Sequence, residues 1–407
     1  MNPSFASYNY FFDFLSLAAL SLPLYFILPS PVMRRWILTC TGMYLLYFIA
    51  PRLLLFYLVF WGVTFLLQNL IARSSQARFA LPVLLVTVIV VLAPMVLWKV
   101  VGDDFIVSFN LIANRGVQIL SEWVWEVDLI RKIIIPVGLS FATFRAIDLL
   151  IKTYVGRISA LTFDRVFFFG FFPPVQMVGP IIEYEEIQRQ GDNQIHFNPQ
   201  DFFEGGKRIA SGLLKIFLLA FLLRESANTF EAFSAISVWK IWGGLFLFTW
   251  YFYFNFSGYS DIAIGSARLF GYVLKENFSF PYFKRNIQEF WNHWHMSLTR
   301  FAQRNIFVPL GGYRPRTQHR ATLATIMVIA LWHDIAWSLV LFGLYHGIGL
   351  VVHRIYTGGA KQTMLPQWQD YASRLATYLF VTISFPLLIL PVNKLPEFYL
   401  AMIGLQG

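Results

Sequence analysis

Charged residues are scarce in this sequence, and their scarcity excludes a soluble fold. Asp, Glu, Lys and Arg make up 13% of the 407 residues, whereas 57% are hydrophobic. Because soluble domains are about one quarter charged, this chain has too little polar surface to coat a globule. A mean hydropathy of +0.57 and an aromatic content of 18% agree. The composition therefore predicts an integral membrane protein.

Cysteine is almost absent as well. The one cysteine, Cys40, excludes an internal disulfide and a cysteine-based zinc site, and we expect it to be a small buried apolar residue. The first apolar run has no Lys or Arg before it and no small-residue cleavage site after it. We therefore interpret it as a retained membrane span and not as a signal peptide.

Several sequence templates for chemistry are also missing. The chain has no G-x-S-x-G, no phosphate-loop lysine pattern, no dinucleotide glycine pattern and no H-E-x-x-H, which argues against the enzyme classes that they define. No Gly/Ser/Pro linker or charged tail marks a second domain. We expect one membrane domain over 1–407, with N-terminal spans in 1–130, a core in 131–353 and a C-terminal span in 354–407.

Long apolar runs are what the sequence has instead. A membrane span needs about 20 apolar residues, and the runs predict roughly ten to eleven helices, some of them re-entrant or broken. The predicted fold is all-α, a polytopic integral membrane helical bundle. The candidate segments are 10–28, 36–49, 53–71, 79–101, 133–155, 163–182, 213–223, 236–256, 321–352 (two helices) and 375–390, with 107–125 as a weaker, interfacial segment. Segment 133–155 contains Pro136, Gly138, Arg145 and Asp148, which we expect to interrupt it.

Positive charge is concentrated between residues 275 and 320 in a chain of net charge +10. The positive-inside rule places the ends of this segment at the cytoplasmic face. The same segment contains F-W-N-H-W-H and F-V-P-L-G-G, which are too apolar for a free loop, so we expect it to dip into the bundle. The charge also suits anionic lipid or an anionic acyl donor; no nucleic-acid partner is predicted.

Three of the seven histidines, His295, His333 and His346, lie in or beside membrane-grade sequence. Imidazole is costly in hydrocarbon, so histidines there indicate function, although a hydrogen-bonded structural histidine is the alternative. His293 and His295 are two residues apart, which on a helix is about 200° of rotation, so only one can face a given site. The spacing matches no recognised metal-ligand pattern, and no metal is predicted.

The motifs F-W-N-H-W-H-M-S-L-T, R-N-I-F-V-P-L-G-G, L-W-H-D and G-L-Y-H-G follow one another between residues 290 and 347. Together with the earlier P-V-G-L-S-F-A-T-F, V-G-P-I-I-E-Y and S-G-Y-S-D-I-A-I-G, they resemble the membrane-bound O-acyltransferase family. The likeness is greatest to the bacterial branch that acetylates alginate and related exopolysaccharides or D-alanylates lipoteichoic acid. It covers roughly residues 133–353 and implies a helical bundle with a central funnel or tunnel.

The resemblance also implies roles for two histidines. The histidine thought to be catalytic in the family corresponds to His333, and a second site histidine corresponds to His295. An imidazole with a pKa of about 6.5 suits a base near neutral pH, so His333 is the predicted base. His295 would orient the acceptor, donate to the thioester oxygen or steady the other histidine. No Ser or Cys lies in a recognisable nucleophile elbow, which favours direct transfer over a covalent acyl-enzyme.

Other residues complete the predicted site. The tryptophans beside the histidines would wall the tunnel and keep water from the donor, or they are packing residues. Asp261 lines a polar cavity or caps a helix. The predicted tunnel residues are Trp291, Trp294, Trp332, Ser297, Asp261 and His346. The predicted donor-binding residues, which could meet phosphates or an acidic carrier protein or only obey the positive-inside rule, are Lys284, Arg285, Arg300 and Arg304.

Three positions depart from the family pattern. His293 stands where the family usually has Arg, and Asn305 where it usually has Asp, which is consistent with joint loss of one ion pair. Asp334 stands where the family has Gly. This carboxylate would raise the proton affinity of the neighbouring base, or it only caps a helix.

The predicted function is transfer of an acyl group, most directly acetyl, from a cytoplasmic thioester to hydroxyls of a cell-envelope polysaccharide. The donor would be acetyl-CoA or an acyl-carrier thioester, with no bound cofactor. The predicted location is the bacterial cytoplasmic (inner) membrane, as a multi-pass protein in contact with membrane lipid, with a separate extracytoplasmic acetyltransferase as partner. The alternatives are D-alanyl transfer to a teichoic-acid-like polymer, a non-catalytic acyl conduit or scaffold, and a plain transporter.

Overall fold

The computed structural model describes residues 8–49, 51–74, 80–101, 128–176, 178–192, 196–358 and 366–405. These residues form helices and turns with no strand among them, so the predicted all-α class is confirmed. Ten of the described helices have 16 residues or more. The α-helices are Tyr8–Ile27, Pro31–Ile49, Pro51–Ser74, Ala80–Val101, Asp128–Tyr154, Phe163–Gly170, Tyr184–Asp192, Pro199–Leu214, Phe221–Leu223, Thr229–Ala232, Val238–Leu269, Ile287–His293, Met296–Ala302, Gln318–His333, Trp337–Thr357, Gln367–Ile389 and Leu395–Met402. The 3-10 helices are Pro173–Val175, Arg224–Asn228, Phe233–Ala235, Pro281–Phe283 and Val392–Lys394, and the π-helices are Lys215–Ala220 and Gln303–Phe307.

Three of the described helices are long and apolar enough to cross a membrane, namely Leu54–Ser74, Trp337–Thr357 and Gln367–Ile389. Cys40 is exposed, so the expectation that it is buried was wrong. Because lipid tails are as apolar as a protein core, apolar character does not distinguish a core position from an outward one on such helices.

Two predicted interruptions are absent from the structure. The chain is one continuous helix over Asp128–Tyr154 and another over Val238–Leu269. Asp261 therefore lies inside a helix, and its interpretation as a helix cap was wrong. Segment 163–182 is instead a short helix followed by a 3-10 turn at Pro173–Val175, in agreement with a kinked segment. The weak segment 107–125 lies outside the described residues.

The described chain divides into two compact units, and the first comprises Met1–Ala210 and Asp261–Leu274. Charges are buried inside this unit with partners. Lys152 Nζ lies 2.7 Å from a Glu183 oxygen and 3.1 Å from an Asp148 oxygen. Arg145 is fully buried and donates to the Phe169 carbonyl oxygen at 2.8 Å. Charge within segment 133–155 is thus covered by protein, as such a segment requires.

The second unit comprises Ser211–Ser260 and Lys275–Gly407. Its centre is a helical hairpin of Gln318–His333 and Trp337–Thr357, joined by three residues. Glycine brings these helices together, because a Cβ at Gly347 would lie 2.9 Å from Leu323 Cδ2. The helix Gln367–Ile389 packs on the same hairpin.

The basic segment 275–320 is part of this second unit. It folds into short helices and turns whose apolar side chains, among them Phe290, Leu298 and Phe301, are buried. The expectation that the segment enters the protein and is not a free loop is therefore met. The segment brings the first predicted site histidine into the core of the unit.

Candidate active site

The chain makes a left-handed turn at His295. The helix Ile287–His293 ends before it, and Trp294 is extended with φ −101° and ψ 127°. His295 then has φ 42° and ψ 54°, a backbone conformation that L-residues other than glycine rarely adopt. His293 and His295 are thus not on one continuous helix, contrary to the rotation assumed from their spacing.

His295 is also the N-cap of the helix Met296–Ala302. Its Nδ1 accepts a hydrogen bond from the backbone N–H of Leu298 at 3.3 Å, and Ser297 Oγ lies 3.5 Å from the same nitrogen. In a neutral imidazole one nitrogen accepts and the other carries the hydrogen. The cap therefore leaves Nε2 as the protonated nitrogen of a neutral His295.

Asn277 stabilises the turn at His295 through hydrogen bonds. Its side chain is fully buried, donates to Ser260 Oγ at 3.0 Å and accepts from the Ser297 backbone N–H at 3.0 Å. Its carbonyl oxygen accepts from the Met296 N–H at 2.8 Å. Both backbone N–H groups that follow His295 are thereby satisfied, and buried polar groups require such partners.

Aromatic rings surround the His295 imidazole, which is 2% exposed. The ring centroid of Phe256 lies 4.7 Å from it, that of Trp332 6.1 Å and that of Phe278 6.4 Å. This packing fixes the ring orientation and keeps the imidazole in an apolar environment.

His333 is the last residue of the helix Gln318–His333 and is exposed. Its ring lies 4.5 Å from the Trp332 ring, centroid to centroid. The following residue, Asp334, is extended, and its Oδ1 accepts from the Ile335 N–H at 2.8 Å. Asp334 is the C-cap residue of the helix Gln318–His333 by position, but this hydrogen bond goes to a turn residue and not to the end of either helix.

His295, His333 and His346 line one cavity of about 50 Å³ in the second unit. The other lining side chains are aromatic or aliphatic, apart from Ser384. The volume has room for only a few water-sized groups. Three imidazole rings thus border one largely apolar cavity, and hydrogen bonds in such a setting are stronger than in water.

His346 and Ser384 are the polar pair of this cavity wall. His346 Nε2 lies 2.9 Å from Ser384 Oγ, and both side chains are buried. The pair joins the helix Trp337–Thr357 to the helix Gln367–Ile389. His346, predicted as a tunnel residue, thus reaches the same cavity as the two predicted site histidines.

The remaining predicted residues have different environments. Trp291 and Trp294 line the cavity, whereas Trp332 packs between the rings of His295 and His333. Asp261 belongs to the first unit, where it accepts from Arg208 at 2.9 Å.

None of the four predicted donor-binding residues is a lining residue of the cavity. Arg285 pairs with Asp370, and Arg300 donates to the Glu276 carbonyl oxygen at 3.4 Å. Lys284 and Arg304 are half-buried. Within the described ranges no three His, Cys, Asp or Glu side chains are grouped as metal ligands would be.

Sequence reasoning missed Asn277 and Ser384. Neither lies in a motif that defines chemistry, and each acts through a residue distant in sequence. The available signal was weak: a lone serine in the apolar run 375–390, and an asparagine in a basic segment.

The all-α fold, the membrane-length apolar helices and a histidine-lined cavity describe an integral membrane protein with a buried polar site. The chain belongs to the MBOAT, or membrane-bound O-acyltransferase, family, whose model matches residues 4–390. The resemblance stated from the motifs is therefore confirmed.

Relatives of this chain include members of three groups. The chain is 31% identical over 276 residues to a probable alginate O-acetylase of Azotobacter vinelandii, covering 66% of this chain and 55% of that protein. It is 29% identical to a peptidoglycan O-acetyltransferase of Helicobacter pylori, covering 64% and 53%. It is 27% identical to a teichoic acid D-alanyltransferase of Bacillus subtilis, covering 61% and 67%. The chain thus spans about half the length of the O-acetylating relatives that it matches.

Proposed function

We propose that this protein is an O-acyltransferase that moves an acetyl group from a cytoplasmic thioester to hydroxyls of a cell-envelope polysaccharide. The observation that carries the proposal is that His295 and His333 line the same cavity. Membership of the O-acyltransferase family and the O-acetylating names of relatives support it.

The proposed step is a direct acyl transfer. The acceptor hydroxyl oxygen attacks the thioester carbonyl carbon, a C–O bond forms, and the C–S bond breaks. His333 takes the hydroxyl proton and returns it to the departing sulfur, which leaves as a thiol. His295 Nδ1 accepts the capping hydrogen bond, so Nε2 carries the hydrogen and donates to the carbonyl oxygen as negative charge develops there.

The donor and the setting are part of the same proposal. The donor is acetyl-CoA, and the protein is a multi-pass protein of the bacterial cytoplasmic membrane, supported by the three candidate spans. The half-buried Lys284 and Arg304 would attract an anionic donor at the cytoplasmic side. A separate extracytoplasmic acetyltransferase is the proposed partner.

D-alanyl transfer is the second candidate. The share of the relative that is matched favours this candidate, because the match covers 67% of the teichoic acid D-alanyltransferase and 55% of the alginate O-acetylase. The same cavity chemistry would serve, with a carrier-protein thioester as donor and a teichoic-acid-like polymer as acceptor.

The His333→Ala variant tests the proposal. Since losing a positioned base costs about 10²–10⁴-fold in rate, we expect envelope O-acylation, measured by mass spectrometry and normalised to protein abundance, to fall by at least about 100-fold. Envelope O-acylation by the His295→Ala variant should fall as well. The matched control is His353→Ala, a histidine of the helix Trp337–Thr357 that does not line the cavity, and it should retain wild-type acylation.

Purified protein offered radiolabelled acetyl-CoA or a D-alanylated carrier protein separates the two donors. Wild-type acylation in the His333→Ala variant at normal abundance would contradict catalysis by His333. Delivery of the acyl group to the far side in that variant would favour a non-catalytic conduit or scaffold.

A further inference from the structure

The His346–Ser384 pair has a defined hydrogen-bond direction. Ser384 Oγ lies 2.7 Å from the Val381 carbonyl oxygen, to which it donates. A hydroxyl has one hydrogen, so towards His346 Nε2, at 2.9 Å, Ser384 accepts. His346 therefore carries its hydrogen on Nε2, and Nδ1 of the neutral ring is a hydrogen-bond acceptor.

Two buried polar atoms next to this pair lack partners. His346 Nδ1, an acceptor, and Trp291 Nε1, a donor, have no hydrogen-bond partner among the described residues. Their rings are 5.4 Å apart, centroid to centroid, and nearly perpendicular at 83°. Both residues line the cavity. Because buried polar groups are normally hydrogen-bonded, a donor and an acceptor left together beside a cavity point to a ligand.

We propose that His346 Nδ1 and Trp291 Nε1 form a subsite for a hydroxyl of the acceptor polymer. A hydroxyl both donates and accepts, so it would donate to His346 Nδ1 and accept from Trp291 Nε1–H. Ser384 is a positioning residue, because its bond to Nε2 keeps Nδ1 free of hydrogen. The assignment rests on the proposed function and adds to it the group that recognises the acceptor.

Steady-state kinetics of the purified protein test this subsite, with short alginate oligosaccharides as acceptor probe and acetyl-CoA as donor. For the second candidate the probes are poly(glycerol phosphate) and a D-alanylated carrier protein. His346→Phe and Trp291→Phe each remove one ligand hydrogen bond and keep an aromatic ring. We expect the acceptor KM to rise about tenfold in each, with the thioester KM unchanged.

Two further variants distinguish binding from packing. His346→Asn carries an amide oxygen near the position of Nδ1, and we expect it to recover part of the acceptor KM. Ser384→Ala allows the hydrogen to move to Nδ1 and should raise the acceptor KM. The matched control is Thr377→Val on the same helix, a buried hydroxyl that donates to the Ser373 carbonyl oxygen and does not line the cavity. The Thr377→Val variant should have wild-type KM values for the acceptor and for the thioester.

The outcomes are separable. An active wild type with an unchanged acceptor KM in both His346→Phe and Trp291→Phe would overturn the subsite alone. A rise confined to the thioester KM would assign the polar group to the donor and also overturn it. A wild type without acyl transfer from either thioester would overturn the proposed function and the subsite together.

Discussion

Asn277 accepts hydrogen bonds from both backbone N–H groups that follow His295, and Asn277→Ala tests whether the turn depends on its side chain. The substitution removes the acceptor of the Ser297 N–H and the donor to Ser260 Oγ, each at 3.0 Å. Each buried group left without a partner costs about 1–3 kcal/mol. The two losses together should lower the free energy of unfolding by about 2–6 kcal/mol.

The same substitution should impair acyl transfer beyond its effect on stability. A left-handed non-glycine residue stores about 1–2 kcal/mol of backbone strain, and His295 is in that conformation. With the Ser297 N–H released, the turn can relax and move the imidazole away from the cavity. We expect the acylation rate per folded molecule to fall by about tenfold or more, since small displacements of a reacting group are costly.

The assay compares unfolding and activity in one preparation. Unfolding is followed by denaturant or heat in mild detergent, and acyl transfer is measured on the folded fraction. The matched control is Asn292→Ala, an exposed amide on the neighbouring helix that contacts Gln288, with an expected change within about 0.5 kcal/mol. If Asn277→Ala behaves like Asn292→Ala in both measurements, Asn277 does not hold the turn.

Two other predictions concern packing and topology. Gly265→Ala should lower the free energy of unfolding by about 1–3 kcal/mol, because its Cβ would lie 2.7 Å from the Gly205 carbonyl oxygen; denaturant unfolding measures it. Arg316 and Ile335 lie at opposite ends of the helix Gln318–His333 and are both exposed. On a Cys40→Ser background, Arg316→Cys should react with an impermeant thiol reagent only after permeabilisation, and Ile335→Cys in intact cells.

The glycine substitution and the labelling experiment each have a control. Gly206→Ala adds a Cβ that meets nothing within 4 Å and should be neutral or stabilising, since alanine is the better helix former. Equal destabilisation of both glycine variants would refute the packing explanation. Labelling of Arg316→Cys in intact cells, with Ile335→Cys protected, would reverse the proposed orientation.

Hydropathy was sufficient to predict most of the helices, because apolar runs and their charged ends are local features of the sequence. The hairpin within 321–352 is where the spacing of apolar residues predicted it. Hydropathy did not predict the helix beyond residue 256, where it continues through Asp261 to Leu269 and Arg208 pairs with the carboxylate. A carboxylate at that position suggested a helix end, whereas its partner in the structure is a residue 53 positions earlier in the sequence.

The candidate site was predictable as a set of residue types and not as a geometry. The histidine motifs indicated His295 and His333, and both line the cavity. The turn at His295 could not be foreseen, since its backbone conformation depends on Asn277, 18 positions earlier in the sequence. Which nitrogen of the His346 imidazole carries the hydrogen likewise depends on Ser384, 38 residues away.

Because the backbone at His295 is left-handed, the residue at this position must satisfy two constraints, one from the backbone conformation and one from the chemistry of the side chain. Branched side chains such as valine or isoleucine are rejected by the main chain before any chemistry is considered. Glycine and asparagine fit the main chain, and asparagine can still cap the next helix with its amide oxygen. An asparagine here would keep the turn and the cap while removing the imidazole, so His295→Asn separates the structural role of this position from its proposed chemical role.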